Sequence, residues 1–401
     1  MILAIVALSF ITFAVTSHFL NLYGSFLDTA SSTIHTRSES ILLRAERPPL
    51  RVAIFTAAGN GNLGDNLQIH SWTSHFNAWN MRKYGGRRKI DIYSLSGEFC
   101  CYPFDDRRKL VVDSLESLTQ FLSKHQPHYM IIGGGGIFGH PHRPFDTRNV
   151  TWSQVVAQFP NVKWIIASVG AGEDISEDLT ARVSSLIDHA KVVTGRDGPS
   201  QQMLQKHISD KNRRVTLLRD PVLVDEEHFP FPPISNDFEH EGASSKQTCW
   251  ILRKPLTEEL VSLMKPHINL EKDLLLAMEE QDKVLDNIFH RKHISVFPTG
   301  GQWLWDNLQK HCAYVVTMRF HGAILAFRSQ VPTLAIEPLS RKIIQLYQDV
   351  YGNTDCVMTH INEKEFAEKF HKCRSVNPSP IVPVLKEMRK QFDQFMDTTF
   401  D

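Results

Sequence analysis

The stretch RVAIFTAAGNGNLGD, residues 51–65, decides the fold. After Arg51 it is an apolar run without alternation, the pattern of a strand buried on both faces of a parallel sheet. Gly59-Asn60-Gly61-Asn62-Leu63-Gly64 then matches G-x-G-x-x-G, and a helical segment follows over 66–84. Strand, glycine turn and helix in that order make the first half of a β-α-β unit. Alone, the motif suggests a dinucleotide site. Asp65 argues against it, because a carboxylate at the helix start opposes a pyrophosphate on the same dipole. Asp65 either caps the helix or, with Asn62, faces a cleft to hold hydroxyl groups or accept a proton; the two readings are compatible.

Outward from this unit the pattern repeats. Strands are expected over 51–57, 89–95, 128–132, 163–169, 191–194 and 214–218, with helical segments over 66–84, 112–125, 176–190 and 199–208. Residues 226–247, rich in Pro, Ser and acid, break the pattern as an inter-domain linker does. Alternation resumes with strands over 248–252, 293–297, 313–318 and 333–336, one long helix over 258–289 and a last amphipathic segment over 382–396. The expected fold class is therefore α/β: two Rossmann-like domains, 51–225 and 248–401, facing across a cleft, the second ending in a capping helix. Open α/β sheets bind ligands at the carboxyl ends of their strands, so the residues that follow each strand are the candidates.

Composition narrows the classes. The chain has 401 residues, and 44 Lys+Arg balance 44 Asp+Glu, which excludes a polyanion groove and hence nucleic acid as a partner. Residues 1–25 carry no Lys, Arg, Asp or Glu, and the apolar run over 2–15 is extended by Phe19, Leu20, Leu22 and Tyr23 to the roughly 20 residues a bilayer needs. This segment reads as a signal-anchor, residues 26–50 as a stem, and the remainder as lumenal. A cleaved signal peptide is the alternative, although no basic n-region supports it. The six cysteines include no C-x-x-C pair, so zinc ribbons are out, while disulfides and buried thiols both stay open. Asn149-Val150-Thr151 is a glycosylation sequon.

After the third strand, the glycines 133–136 leave backbone N–H groups unshielded, so Gly135 is a candidate to approach a ligand; close backbone packing is the plain alternative. In the adjoining loop, His142 or Arg143 is placed to touch substrate. Arg196 stands at a strand end before a helix start, where it meets an anion or simply pairs with Asp197. Arg319 and His321 alternate on an extended segment, and Gly322 opens a helix whose free N–H groups suit an anion. His321 can also move a proton near neutral pH. Glu337, Arg341 and Lys342 mark a further strand-to-helix junction.

Together, GNGNLGD at 59–65, GGGGIF at 133–138, Arg196-Asp197, LRDPVL at 218–223, RFHGAI at 319–324 and SRKI at 340–343 resemble the polysaccharide pyruvyl transferase family. With the anchor and stem, the chain is similar to its fungal Golgi members that cap terminal galactose of cell-surface galactomannan. The resemblance implies a fold similar to the B-type glycosyltransferases, phosphoenolpyruvate as donor substrate with no further cofactor or metal, and a 4,6-ketal of pyruvate on β-galactose as product. Such a donor carries a phosphate and a carboxylate, so its candidates are the fixed cations and helix-start N–H groups of Arg196, Arg319, His321, Gly322 and Arg341 or Lys342. By their positions after the strands, Asn62, Asp65, Gly135, His142 and Glu337 are the candidates for the acceptor sugar. Catalysis falls to His321 for proton delivery, Asp65 for activating a sugar hydroxyl, and Arg319. The implied location is the Golgi membrane, single-pass type II. The alternatives are a B-type nucleotide-sugar glycosyltransferase of the Golgi and a non-catalytic glycan-binding protein on the same fold.

Overall fold

Thirteen strands in the described part of the chain fall into two all-parallel sheets. The computed structural model describes residues 48–56, 62–96, 109–112, 114–137, 152–171, 184–232, 247–254, 256–290, 294–295, 301–337 and 341–400. The expected anchor (1–25), most of the stem and the linker, His142, Arg143, the sequon at Asn149 and the pair Cys100-Cys101 lie outside those residues. Among the described residues no helix is long and apolar enough to cross a membrane.

The first sheet holds β1 (Leu50–Phe55), β2 (Ile90–Ser96), β3 (Lys109–Val111), β4 (Tyr129–Gly133), β5 (Lys163–Val169), β6 (Val192–Gly195) and β7 (Thr216–Leu217), ordered β3-β2-β1-β4-β5-β6-β7. The second holds β8 (Gln247–Ile251), β9 (Leu274–Ala277), β10 (Ile294–Ser295), β11 (Cys312–Thr317), β12 (Thr333–Ile336) and β13 (Val357–Met358), ordered β10-β9-β8-β11-β12-β13. Each order reverses beside its first strand, the switch point where such sheets open a crevice at their carboxyl ends. These are two Rossmann-like domains, as the sequence predicts. Alternation along β1 shows why the strands read as unbroken apolar runs. Val52 and Ile54 pack into one core cluster, Ala53 and Phe55 into another, and all four are buried.

The helix expected over 258–289 does not exist as one element. Helix α5 (Glu258–Met264) gives way to a 3-10 turn over Lys265–His267 around Pro266, and Leu274–Ala277 becomes strand β9, paired parallel to β8. Pro266 cannot continue a helix, and a short buried apolar run has no period that tells strand from helix.

Three further helices position the site. Helix α1 (Leu63–Tyr84) follows β1, α4 (Gly198–Lys206) follows β6, and α8 (Phe320–Arg328) follows β11. The final helix, α11 (Ile381–Thr399), returns to the first domain, where Phe392 packs 4.1 Å from the ring of His75 and 5.3 Å from that of Trp72 on α1. Two disulfides staple the second domain: Cys249–Cys312 joins β8 to β11, and Cys356–Cys373 ties the start of β13 to α10 (Glu363–Arg374).

Candidate active site

Strand β6 ends in Gly195, and the next residue, Arg196, is buried at the domain junction. Its guanidinium lies over the ring of Phe320, 4.3 Å from the centroid, so an arginine of the first domain stacks on an aromatic of the second. Its nearest carboxylate oxygens are those of Asp220 at 3.5 Å and Asp197 at 3.7 Å, and its Nε has no hydrogen-bond partner among the described residues. Asp197 is occupied otherwise, because it is the N-cap of α4 and accepts from Ser200 N. Gly170 makes room for the arginine: a Cβ there would stand 2.6 Å from Arg196 Nη2.

Beside Arg196 lies His321, in the first turn of α8. Its Nε2 is 3.4 Å from Asp220 Oδ2, and Gln68 Nε2 donates to the same oxygen at 3.1 Å. Asp220 Oδ1 accepts from Val222 N, which closes the turn after β7. Burial works against the Asp220 carboxylate, yet His321, Arg196 and the Val222 N–H outweigh it and hold its pKa below the usual range. The ring of His321 fits only because residue 64 is glycine, since a methyl on Gly64 would overlap the imidazole. Gly134, at φ +82°, is likewise pressed against the Gln68 amide, which accounts for the glycine run by close packing.

Arg196, Asp197, Arg219, Asp220, Phe320 and Lys342 line a small cleft between the domains. Lys342 opens α9 (Lys342–Tyr351) and forms no hydrogen bond or ion pair with a described residue. Burial, with the Arg196 charge beside it, lowers its pKa to about 8 in spite of Asp65, Asp197 and Glu337 nearby. Arg219 at the same cleft is ion-paired with Asp349.

The other sequence candidates are placed differently. Arg319 donates to Glu279 Oε1 and Asp282 Oδ1, each at 2.5 Å, so its fork is filled by carboxylates delivered by the turn after β9. Gly322 packs under Thr317, with a Cβ position 2.6 Å from Thr317 Oγ1. Glu337 accepts from the N–H groups of Ile343 at 2.6 Å and Ile344 at 2.9 Å, and so caps α9. Asn62, not Asp65, is the N-cap of α1 and accepts from Gly64 N. Asp65 is buried in that first turn, close enough to raise the pKa of Lys342. Gly135 O accepts from Gly170 N at 2.8 Å, and Arg341 is exposed. Among the described residues no cluster of His, Cys, Asp or Glu could hold a metal ion.

Sequence reasoning missed Gln68 and Phe320; it marks Arg219 and Asp220 only as a strand-end pair that could meet an anion or pair structurally, without assigning them to the site. Asp220 carried a signal, since LRDPVL follows a strand as Arg196-Asp197 does. Gln68 carried none.

Fold and cleft together define a two-domain α/β protein with cationic side chains gathered at facing strand ends. The model of the family described as polysaccharide pyruvyl transferase matches residues 62–340, and the chain belongs to that family. It is therefore a transferase acting on glycans. No curated protein matches it in sequence. Among solved structures, the UDP-GlcNAc 2-epimerase of Methanocaldococcus jannaschii aligns with a TM-score of 0.54 at 10% identity, over 87% of this chain and 99% of that one. The UDP-N-acetylglucosamine 2-epimerase of Rickettsia bellii aligns at 0.54 and 10%, over 88% and 99%. At such identity the likeness speaks for the fold alone.

Proposed function

We propose that the enzyme moves the enolpyruvyl group of phosphoenolpyruvate onto two hydroxyls of a terminal β-galactose on cell-surface glycans, giving a 4,6-ketal and releasing phosphate. The observation that carries the donor assignment is the convergence of Arg196 and the unpartnered Lys342 ammonium on one cleft. Phosphoenolpyruvate brings a phosphate and a carboxylate, and fixed cations are what both require. His321 delivers a proton to the methylene carbon. One sugar hydroxyl adds at C2, phosphate leaves with a proton, and the second hydroxyl closes the ketal. Asp65, on the same side as Lys342, takes the proton of an attacking hydroxyl. Arg319, pinned by Glu279 and Asp282, holds the start of α8 and with it His321. A galactomannan acceptor and Golgi residence, tethered through residues 1–25, complete the reading; two disulfides in the second domain support an oxidising compartment.

The test is mass analysis of a β-galactoside after incubation with the purified full chain and either phosphoenolpyruvate or UDP-sugars. A pyruvyl gain with equimolar phosphate is expected. A hexosyl gain from a UDP-sugar alone would overturn the donor assignment in favour of a glycosyltransferase.

A further inference from the structure

Asp220 and His321 come from different domains, and nothing in the linear motifs couples them. Asp220 is fully buried, and its carboxylate accepts from Val222 N–H at Oδ1 and from Gln68 Nε2 at Oδ2; His321 Nε2 stands 3.4 Å from that Oδ2 and 3.4 Å from Gln68 Nε2. Arg196 stands 3.5 Å away. A carboxylate at a ring nitrogen fixes both the tautomer and the plane of an imidazole. With Nε2–H directed at Asp220, Nδ1 becomes the nitrogen that exchanges protons, and it faces Gly64, where any side chain would cover it.

We propose that Asp220 is the positioning residue of His321 in the pyruvyl transfer, so that the proton-transferring unit is an Asp220–His321 dyad assembled only when the two domains dock. The proposal rests on the reading of His321 as the proton donor given above. Gln68 serves the dyad by holding Oδ2, and Gly134 serves Gln68 by leaving space for its amide.

Phosphate release and histidine NMR on the full chain test this. Asp220→Asn keeps shape and removes the charge. It should lower kcat about 10²-fold or more, with the donor KM changed less than about threefold, and move the alkaline limb of the kcat profile to lower pH. In a His321→Asn background the same change should cost nothing further. Gln68→Leu, which leaves Asp220 and Arg196 intact, should show a smaller loss of kcat with a limb shift of the opposite sign, because Asp220 Oδ2 without the Gln68 N–H holds the His321 proton more tightly, and it serves where Asp220→Asn does not fold. Independently of turnover, one slowly exchanging imidazole N–H resonance should vanish in both Asp220→Asn and His321→Asn. Its persistence in Asp220→Asn, or additive losses with an unmoved pH limb, overturns the dyad. Normal turnover in His321→Asn overturns the underlying role of His321 instead.

Discussion

Gly64 at the start of α1 and His321 at the start of α8 occupy one space: the imidazole of the second domain fills the volume a side chain would take in the first. Gly→Ala within a helix ordinarily helps by up to about 1 kcal/mol. Here the sign reverses. The added methyl forces the domains apart, so Gly64→Ala should cost about 1–3 kcal/mol of stability and about 10²-fold in kcat. Gly198→Ala, whose Cβ meets nothing, is the matched control and should melt at or above the parent temperature. Equal melting of the two variants, with full activity in Gly64→Ala, would contradict this packing.

Lys342 gives a pH-dependent signature of donor binding. Its pKa is lowered from 10.5 to about 8, so between those values the unfolded chain binds more protons and stability rises with pH. Below pH 8 the charged ammonium is a standing cost that an anionic donor relieves. Phosphoenolpyruvate binding at pH 8.5 should therefore take up protons, measurable by calorimetry in buffers of different ionisation heat. In Lys342→Met the uptake should vanish and the donor KM rise about tenfold or more, since a charge-assisted hydrogen bond contributes roughly 1.5–3 kcal/mol. Proton release on binding, or uptake unchanged in the variant, would remove Lys342 from the donor site.

The uneven legibility of this site has a physical cause. Arg196 could be placed from sequence because a residue directly after a parallel strand has one destination, the carboxyl edge of the sheet, and Lys342 because it opens the helix that follows such a strand. Arg319 obeyed the same rule and reached that edge. Its partners were invisible because β9 was hidden in an apolar run read as helix, and Glu279 and Asp282 follow that strand. Gln68 sits inside a helix, where a glutamine is unremarkable until a carboxylate 152 residues away meets it. Pairings across the cleft depend on how two domains dock, which local periodicity does not encode.

The two disulfides predict both a linkage map and a ranking. Cys249–Cys312 spans 63 residues and Cys356–Cys373 spans 17. On a chain-entropy basis the first contributes about 4 kcal/mol and the second about 3. Exchanging each pair for alanine should lower Tm, the 249–312 pair by roughly 5 °C and the other by less. Peptide mapping without reductant should recover both linkages; alkylation of Cys249 as a free thiol in unfolded, unreduced protein would refute the first.

His75 makes the fold acid-sensitive beside the turn that carries Asp220. The residue is fully buried; its Nε2–H donates to Pro221 O at 3.0 Å, and its Nδ1 has no partner among the described residues. Burial lowers its pKa to about 4, against the pull of Asp225, so the unfolded state binds a proton the native state refuses. Stability must then fall as pH drops from 6.5 to 4, by an amount on the order of 3 kcal/mol, and change no further from this group below that. His70, lowered to about 3 by burial and by the nearby His228, adds a loss of the same sign. The Asp225 carboxylate, held low by His228 and His75, adds its own at more acid pH. The contribution of His75 is isolated by His75→Gln, whose amide can still donate to Pro221 O while carrying no titratable nitrogen. Its Tm-against-pH curve should be flatter than the parent's between pH 6.5 and 4 and parallel to it above pH 7. Curves parallel across the whole range would mean that the buried imidazole accepts its proton without cost and that the acid sensitivity lies elsewhere.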